Sequence, residues 1–200
     1  LLEKTIRAVV IDEVEYSNIG TPDALEIYLR TLGPAFLFDL DGTLVDTTPA
    51  YVKAWHKLLE PKGAFVDEKF FLDHISGLSD TQVMEKFKIS ISSAEKDEEF
   101  VKQVASVQAI PGAKEFVRKC QKEGLVQIVT NSNKVAALSL LKHLDLDDVP
   151  TITAQDVCNG KPNAEPYMKA ARDLGVSPEN CVVFEDSRGG LISGRAALCK

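Results

Sequence analysis

The stretch Phe36-Leu37-Phe38-Asp39-Leu40-Asp41-Gly42-Thr43 constrains this chain more than any other. An apolar run ends abruptly in two carboxylates spaced two apart, then a glycine and a threonine. The run reads as a buried strand over residues 35–40. Alternation along an extended chain puts Asp39 and Asp41 on one side. Two like charges held that close repel unless something positive lies beside them. A divalent cation answers that need, and hard oxygen ligands suit Mg²⁺. The same residues also suit a surface turn, because Asp-Gly after a strand is ordinary turn chemistry.

Two later runs repeat the arrangement. Leu125 to Val129 ends in Thr130-Asn131-Ser132-Asn133, and Cys181 to Phe184 ends in Glu185-Asp186-Ser187. A short strand is expected at 151–154. Helical stripes lie between these runs: Ala113, Phe116, Val117 and Cys120; Val135, Leu138, Leu141 and Leu144; Tyr167, Ala170, Ala171 and Leu174. Strands alternating with helices predict an α/β fold, a Rossmann-like three-layer parallel sheet with right-handed crossovers. Residues 47–108 carry no strand signal and read as a small α-helical insert. Its first helix starts at Thr48 as N-cap with Pro49 behind it, and Val52, Trp55, Leu58 and Leu59 share one face. Phe70, Phe71, His74 and Ile75 mark a second helix. Gly77-Leu78-Ser79 breaks it, Gln82 to Phe87 restarts it, and the acidic stretch Ser90 to Glu99 reads as loop. Residues 1–34 look separate: a short β-type run over Ile6 to Ile11, a helix start at Thr21-Pro22 and a stop at Gly33-Pro34. The expected organisation is an N-terminal extension (1–34), a core domain (35–46 with 109–200) and a helical cap (47–108).

The net charge of −7 argues against nucleic acid or a membrane surface as the main partner. An anionic substrate would need local positive charge, from a metal or a placed lysine. The four cysteines, Cys120, Cys158, Cys181 and Cys199, form no CxxC pair and no zinc spacing. They read as reduced thiols of a cytoplasmic protein. No stretch is apolar enough to span a membrane. The sequence opens on Leu1 rather than a start methionine, which leaves a removed targeting segment open.

In an open parallel sheet, ligands bind beyond the carboxyl ends of the strands. Asp39/Asp41, Thr130/Asn131 and Glu185/Asp186 then face one crevice, with Lys161 opening a helix at the same edge. Taken singly, each has a plainer reading. Thr130 suits a strand-end turn, Lys161 a solvated loop, and Glu185-Asp186-Ser187 a helix cap. Taken together, the carboxylates, hydroxyl, amide and ammonium suit a metal plus a phosphate.

These pieces resemble the haloacid dehalogenase-like hydrolases, in the branch with a helical cap after the first motif, similar to β-phosphoglucomutase and phosphoglycolate phosphatase. The matching segments are Asp39-Leu40-Asp41-Gly42-Thr43, Val129-Thr130-Asn131, Gly160-Lys161-Pro162 and Phe184-Glu185-Asp186-Ser187, in the family's order. The resemblance implies a small phosphorylated substrate and a Mg²⁺-dependent phosphatase. Asp39 would attack phosphorus to form an aspartyl-phosphate. Asp41 would protonate the leaving alkoxide, then accept a proton from water. The metal would be held by the Asp39 carboxylate, the Asp41 carbonyl and Asp186, with Glu185 a second-choice ligand, direct or through water. Gly42 would let the backbone approach the phosphate. Thr130, the Asn131 backbone and Lys161 would hold phosphoryl oxygens. The cap would hinge near Leu44–Pro49 and Ala109–Gly112, and select substrate around Gly77-Leu78-Ser79-Asp80 and Tyr51 or Trp55, although Trp55 equally suits cap core.

Two other readings compete. The β-phosphoglucomutase-like relatives carry a hinge His where this chain has Tyr51, and a phosphate-gripping Arg where it has Asp80. An acidic residue there would repel a second phosphate, which favours hydrolysis over a mutase. A non-catalytic or truncated domain is the other, because family members usually add a strand and helix beyond the position of Lys200. Separately, residues 18–25 resemble the last strand and helix of sugar-nucleotidyltransferase domains. Asn18 replaces their Asp and the glycine-rich loop is absent, so no transferase activity is expected.

Overall fold

A computed structural model describes residues 35–75 and 80–200. The expected N-terminal strand and helix and the Gly77-Leu78-Ser79 segment lie outside these residues. Among these residues the central sheet has four parallel strands in the order β5-β4-β1-β6. They are β1 (Ala35–Phe38), β4 (Leu125–Val129), β5 (Thr151–Ile152) and β6 (Cys181–Phe184). β1 is flanked on both sides: Ala35 pairs with Leu125 and with Cys181, and Phe38 pairs with Ile128 and with Phe184. A strand covered on both edges and both faces must be apolar throughout, and all four residues of β1 are buried.

Side-chain alternation divides the core into two layers. Phe36 and Phe38 pack with Val182 and Phe184 against α5 (Ala113–Glu123) and α6 (Lys134–His143). Ala35 and Leu37 pack with Val183 against Tyr167, Ala170 and Ala171 of α7 (Glu165–Leu174). α8 (Arg188–Ala196) follows β6. Phe38 stacks on Phe184 at 4.5 Å with the rings 11° from parallel, which ties the ends of β1 and β6 together. The backbone of Lys200 extends the ladder beside β6, its N–H on Cys181 O at 2.9 Å and its carbonyl accepting from Val183 at 2.7 Å. This is the predicted α/β architecture.

Residues 47–107, between β1 and α5, form the helical insert. It is entered and left through an antiparallel ribbon, β2 (Val45–Asp46) against β3 (Gln108–Ala109). The helices are α1 (Thr48–Leu59), α2 (Glu68–His74), α3 (Asp80–Phe87) and α4 (Ser93–Val101). Trp55, Leu59, Phe71, Ile75, Val83 and Ile89 share a small core of their own. Trp55 is therefore insert core. Ala50, Ala54 and Phe100 join the main core instead, so the base of the insert is anchored to the sheet layer.

Three local expectations need correction. α1 begins at Thr48, with Thr47 at the N-cap position. The stretch read as loop at 90–99 holds α4, because Ser92 and Glu95 form a capping box, with Ser92 N–H on Glu95 Oε2 at 2.6 Å and Glu95 N–H on Ser92 Oγ at 3.2 Å. On α6 the buried face is Ala136, Ala137, Leu140 and Leu141. Val135 and Leu138 are 60% and 45% exposed. Small alanines facing the sheet let the helix approach closely, and that outweighs the size of the outer residues. Among the described residues no helix is long and apolar enough to cross a membrane, and all four cysteines are free thiols.

Candidate active site

The carboxyl ends of β1, β4 and β6 converge as the topology requires. Asp39 follows β1 directly, its N–H donating to Phe184 O at 2.9 Å. The chain then turns tightly. Leu44 N–H donates to Leu40 O at 2.9 Å and Gly42 N–H to Val45 O at 2.7 Å. Gly42 sits at φ +83°, and a Cβ there would lie 2.0 Å from Asp186 Oδ2. Only glycine fits both the left-handed backbone and the approach of Asp186. Thr43 holds the other Asp186 oxygen, donating from Oγ1 to Oδ1 at 3.3 Å.

Lys161 is the centre of the charge arrangement. Its side chain is 4% exposed. The ammonium donates to Asp39 Oδ1 at 2.7 Å, to Val129 O at 2.7 Å and to Glu185 Oε1. An ammonium has three protons, so all three are engaged. The lysine lies in a loop ahead of α7 rather than on a helix. Its backbone is clamped by the Asn131 side chain, which accepts from Lys161 N at 2.8 Å and donates to Lys161 O at 3.0 Å. A side chain on Gly160 would strike that amide, with Cβ 2.8 Å from Asn131 Oδ1.

Thr130 Oγ1 donates to Asp41 Oδ2 at 3.2 Å, and Ser132 Oγ donates to the same oxygen at 2.7 Å. Glu185 is 1% exposed and its oxygens are taken: Oε1 by Lys161 and by Tyr167 OH at 2.8 Å, Oε2 by Ser187 Oγ at 3.0 Å. A Cβ on Gly190 would lie 1.9 Å from Glu185, so that glycine makes the room. Ser132, Tyr167 and the side-chain role of Asn131 escape a reading by strand ends. A signal exists for the first two. Thr130 and Ser132 are two hydroxyls spaced two apart at a strand end, and a tyrosine in a buried helical stripe requires a partner for its hydroxyl.

Two carboxylates, Asp39 and Glu185, thus share one ammonium, with Asp41 and Asp186 at the same sheet edge. Burial pushes the Asp39 carboxyl up to about 8, with Glu185 and Asp41 adding to the shift and Lys161 opposing it. Burial would lower the Lys161 ammonium, but Asp39 and Glu185 beside it outweigh that and hold it above its usual value. Asp186 is raised by burial first and then by Glu185. Carboxylate oxygens of Asp39, Glu185 and Asp186 lie within 4.8 Å of one another. Hard anionic oxygens in excess of positive charge fit a hard divalent cation. Because both oxygens of Glu185 already accept from protein donors, Asp39 and Asp186 are the better-placed ligands.

The sequence pattern of the haloacid dehalogenase-like hydrolases matches residues 36–200. The chain is 34% identical over 173 residues to hexitol phosphatase A of Escherichia coli K12, covering 82% of this chain and 79% of that protein. It is 32% identical over 178 residues to a phosphorylated carbohydrates phosphatase of Thermotoga maritima, covering 82% and 81%. The solved structure of CbbY from Rhodobacter sphaeroides in complex with phosphate shares the fold, with a TM-score of 0.72 at 22% identity over 84% of each chain. A β-phosphoglucomutase candidate from T. maritima is similar at a TM-score of 0.65 and 30% identity, over 83% and 82%. With its motifs gathered at one sheet edge and the match running from Phe36 to Lys200, the chain belongs to the haloacid dehalogenase-like hydrolases.

Proposed function

We propose that this chain is a Mg²⁺-dependent phosphatase acting on a small phosphorylated sugar or polyol through an aspartyl-phosphate on Asp39. The observation that carries this reading is the buried Asp39 carboxylate, held by Lys161 at 2.7 Å within reach of Asp186. Asp39 attacks phosphorus. Asp41 gives a proton to the departing ester oxygen and later takes one from the water that cleaves the acyl phosphate. Lys161 and the Thr130 hydroxyl hold phosphoryl oxygens by giving up a present contact, Lys161 that to Asp39 and Thr130 that to Asp41, and the Asn131 backbone adds a third donor as charge redistributes. When bound between Asp39, Asp186 and the Asp41 carbonyl, Mg²⁺ supplies positive charge that keeps Asp39 ionised and polarises the phosphoryl group. The core domain is residues 35–46 with 109–200. The insert at 47–108 serves as the lid that excludes bulk water and selects the leaving group.

The similarity to the β-phosphoglucomutase candidate supports a mutase as the second reading. Asp80 in place of a phosphate-binding arginine argues against it, since a mutase must hold a second phosphate. Hexitol and sugar monophosphates incubated with the protein and Mg²⁺ are expected to release inorganic phosphate steadily, and EDTA to stop it. Accumulation of an isomeric sugar phosphate without phosphate release would overturn hydrolysis.

Gly42 provides a separate check on the metal. Gly42→Ala forces either the backbone or Asp186 to move. The Mg²⁺ concentration for half-maximal activity is expected to rise roughly 10–100-fold. An unchanged requirement would count against Asp186 as a ligand.

A further inference from the structure

The hydrogen bonds around Asp41 distinguish its two oxygens. Oδ2 accepts from Thr130 Oγ1 at 3.2 Å and from Ser132 Oγ at 2.7 Å. Oδ1 is buried and has no hydrogen-bond partner among the described residues. A carboxylate oxygen that already accepts two hydroxyl protons is a poor place for a third, so the exchangeable proton belongs on Oδ1.

Ser132 has one hydroxyl proton. If it goes to Asp41, whatever else bonds Ser132 Oγ must be a donor. The Tyr51 hydroxyl lies 3.1 Å from Ser132 Oγ, which makes the phenol that donor. Tyr51 belongs to α1, and its ring packs where the insert core meets the main core. It stacks on Phe100 of α4 at 4.3 Å, and on Phe71 of α2 at 6.3 Å with the rings 5° from parallel. Ser132 and Asp41 instead sit on strand-end loops of the sheet. The Tyr51–Ser132 bond therefore crosses from the insert to the core, and a shift of α1 by about 1 Å would break it.

We propose that Tyr51 and Ser132 form a positioning relay that fixes Asp41 Oδ2 as an acceptor and leaves Oδ1 as the proton-exchanging oxygen, so that proton transfer depends on where α1 sits. This rests on the phosphatase reading above. In the first half-reaction, the phosphorus–oxygen bond of the ester breaks and its electron pair goes to the leaving oxygen. That oxygen takes the proton from Asp41 Oδ1, while the Ser132 hydroxyl on Oδ2 stabilises the carboxylate left behind. In the second half-reaction, water bonds to phosphorus, the bond from phosphorus to Asp39 breaks with its electron pair returning to that carboxylate, and Asp41 Oδ1 takes the proton the water loses. Without the phenol, Ser132 can turn its proton elsewhere and Asp41 loses one of its two donors.

The test uses leaving-group dependence. An alkyl phosphate, such as a hexitol monophosphate, needs its leaving oxygen protonated; p-nitrophenyl phosphate does not. Tyr51→Phe keeps the ring and its stacking, and Ser132→Ala removes the hydroxyl. Each is expected to lower the ratio of alkyl to aryl turnover (kcat) about tenfold. The double variant is expected to match Ser132→Ala, because the tyrosine acts through the serine. Equal proportional losses on both esters, or an unchanged ratio, would overturn the relay alone. Absence of phosphate release from both esters by the wild-type protein would overturn the phosphatase reading, and the relay with it.

Discussion

Lys161→Met is expected to lower kcat by about three orders of magnitude and to destabilise the fold by roughly 3–5 kcal/mol at neutral pH. The ammonium is nearly inaccessible and donates to three buried acceptors, on Asp39, Glu185 and Val129. Methionine fills the same volume with no donor. It leaves two carboxylates facing each other without their shared cation, and a backbone carbonyl unpaired. The pH dependence gives the sign. Without Lys161, which opposes the upward shift of Asp39, that carboxyl binds its proton still more tightly in the folded protein than in the unfolded chain. Stability then falls as pH rises from the unfolded carboxylate range towards the folded one. The deficit against wild type is therefore expected to shrink on acidification to about pH 5, read by urea unfolding at the two pH values. Lys161→Arg is not expected to rescue activity, because a planar fork cannot serve three acceptors gathered around one point. A Lys161→Met protein as stable as wild type at neutral pH would mean that the cluster carries its charge differently.

How much of this was legible in the sequence depended on whether a feature belonged to one segment or to several. β4 and β6 were readable to the residue. Leu125–Val129 and Cys181–Phe184 are apolar runs with polar strand ends, and both periodicity and turn chemistry mark those limits. The convergence of Asp39, Thr130 and Glu185 followed from parallel topology alone. What periodicity could not supply was the side-chain traffic between loops. The Asn131 amide clamps the backbone of Lys161, 30 positions away. Ser132 reaches Asp41 across 91 positions. Tyr167 sat within an expected apolar stripe, and nothing local separates its ring, which is core, from its hydroxyl, which is bonded to Glu185. α4 was a different kind of miss. Its acidic composition suggested loop, yet the Ser92–Glu95 box gives a helix start and Phe100 supplies an anchor in the main core.

Asp39→Asn should separate function from stability. Turnover is expected to fall by at least about 10³-fold, because an amide cannot attack phosphorus. Metal-free stability is expected to move the other way. Asp39 is buried beside Glu185 and Asp41, and its carboxyl is pushed up to about 8. A folded-state value above the unfolded one means that the native protein holds the proton more tightly. The metal-free wild type therefore loses stability as pH rises from about 4 to about 8. The Asn variant lacks that slope. Its Oδ1 can still accept from Lys161, and Glu185 remains as the counter-charge. In EDTA at pH 8 the variant is expected to melt about 2–4 °C above wild type, corresponding to about 1 kcal/mol, with the gap closing near pH 4. Mg²⁺ should then raise the Tm of wild type more than that of the variant, since the ion relieves the same repulsion that the substitution removes. A variant that melts below wild type at pH 8 in EDTA would refute this account of Asp39, because the buried carboxylate would then be contributing stability through Lys161 rather than costing it.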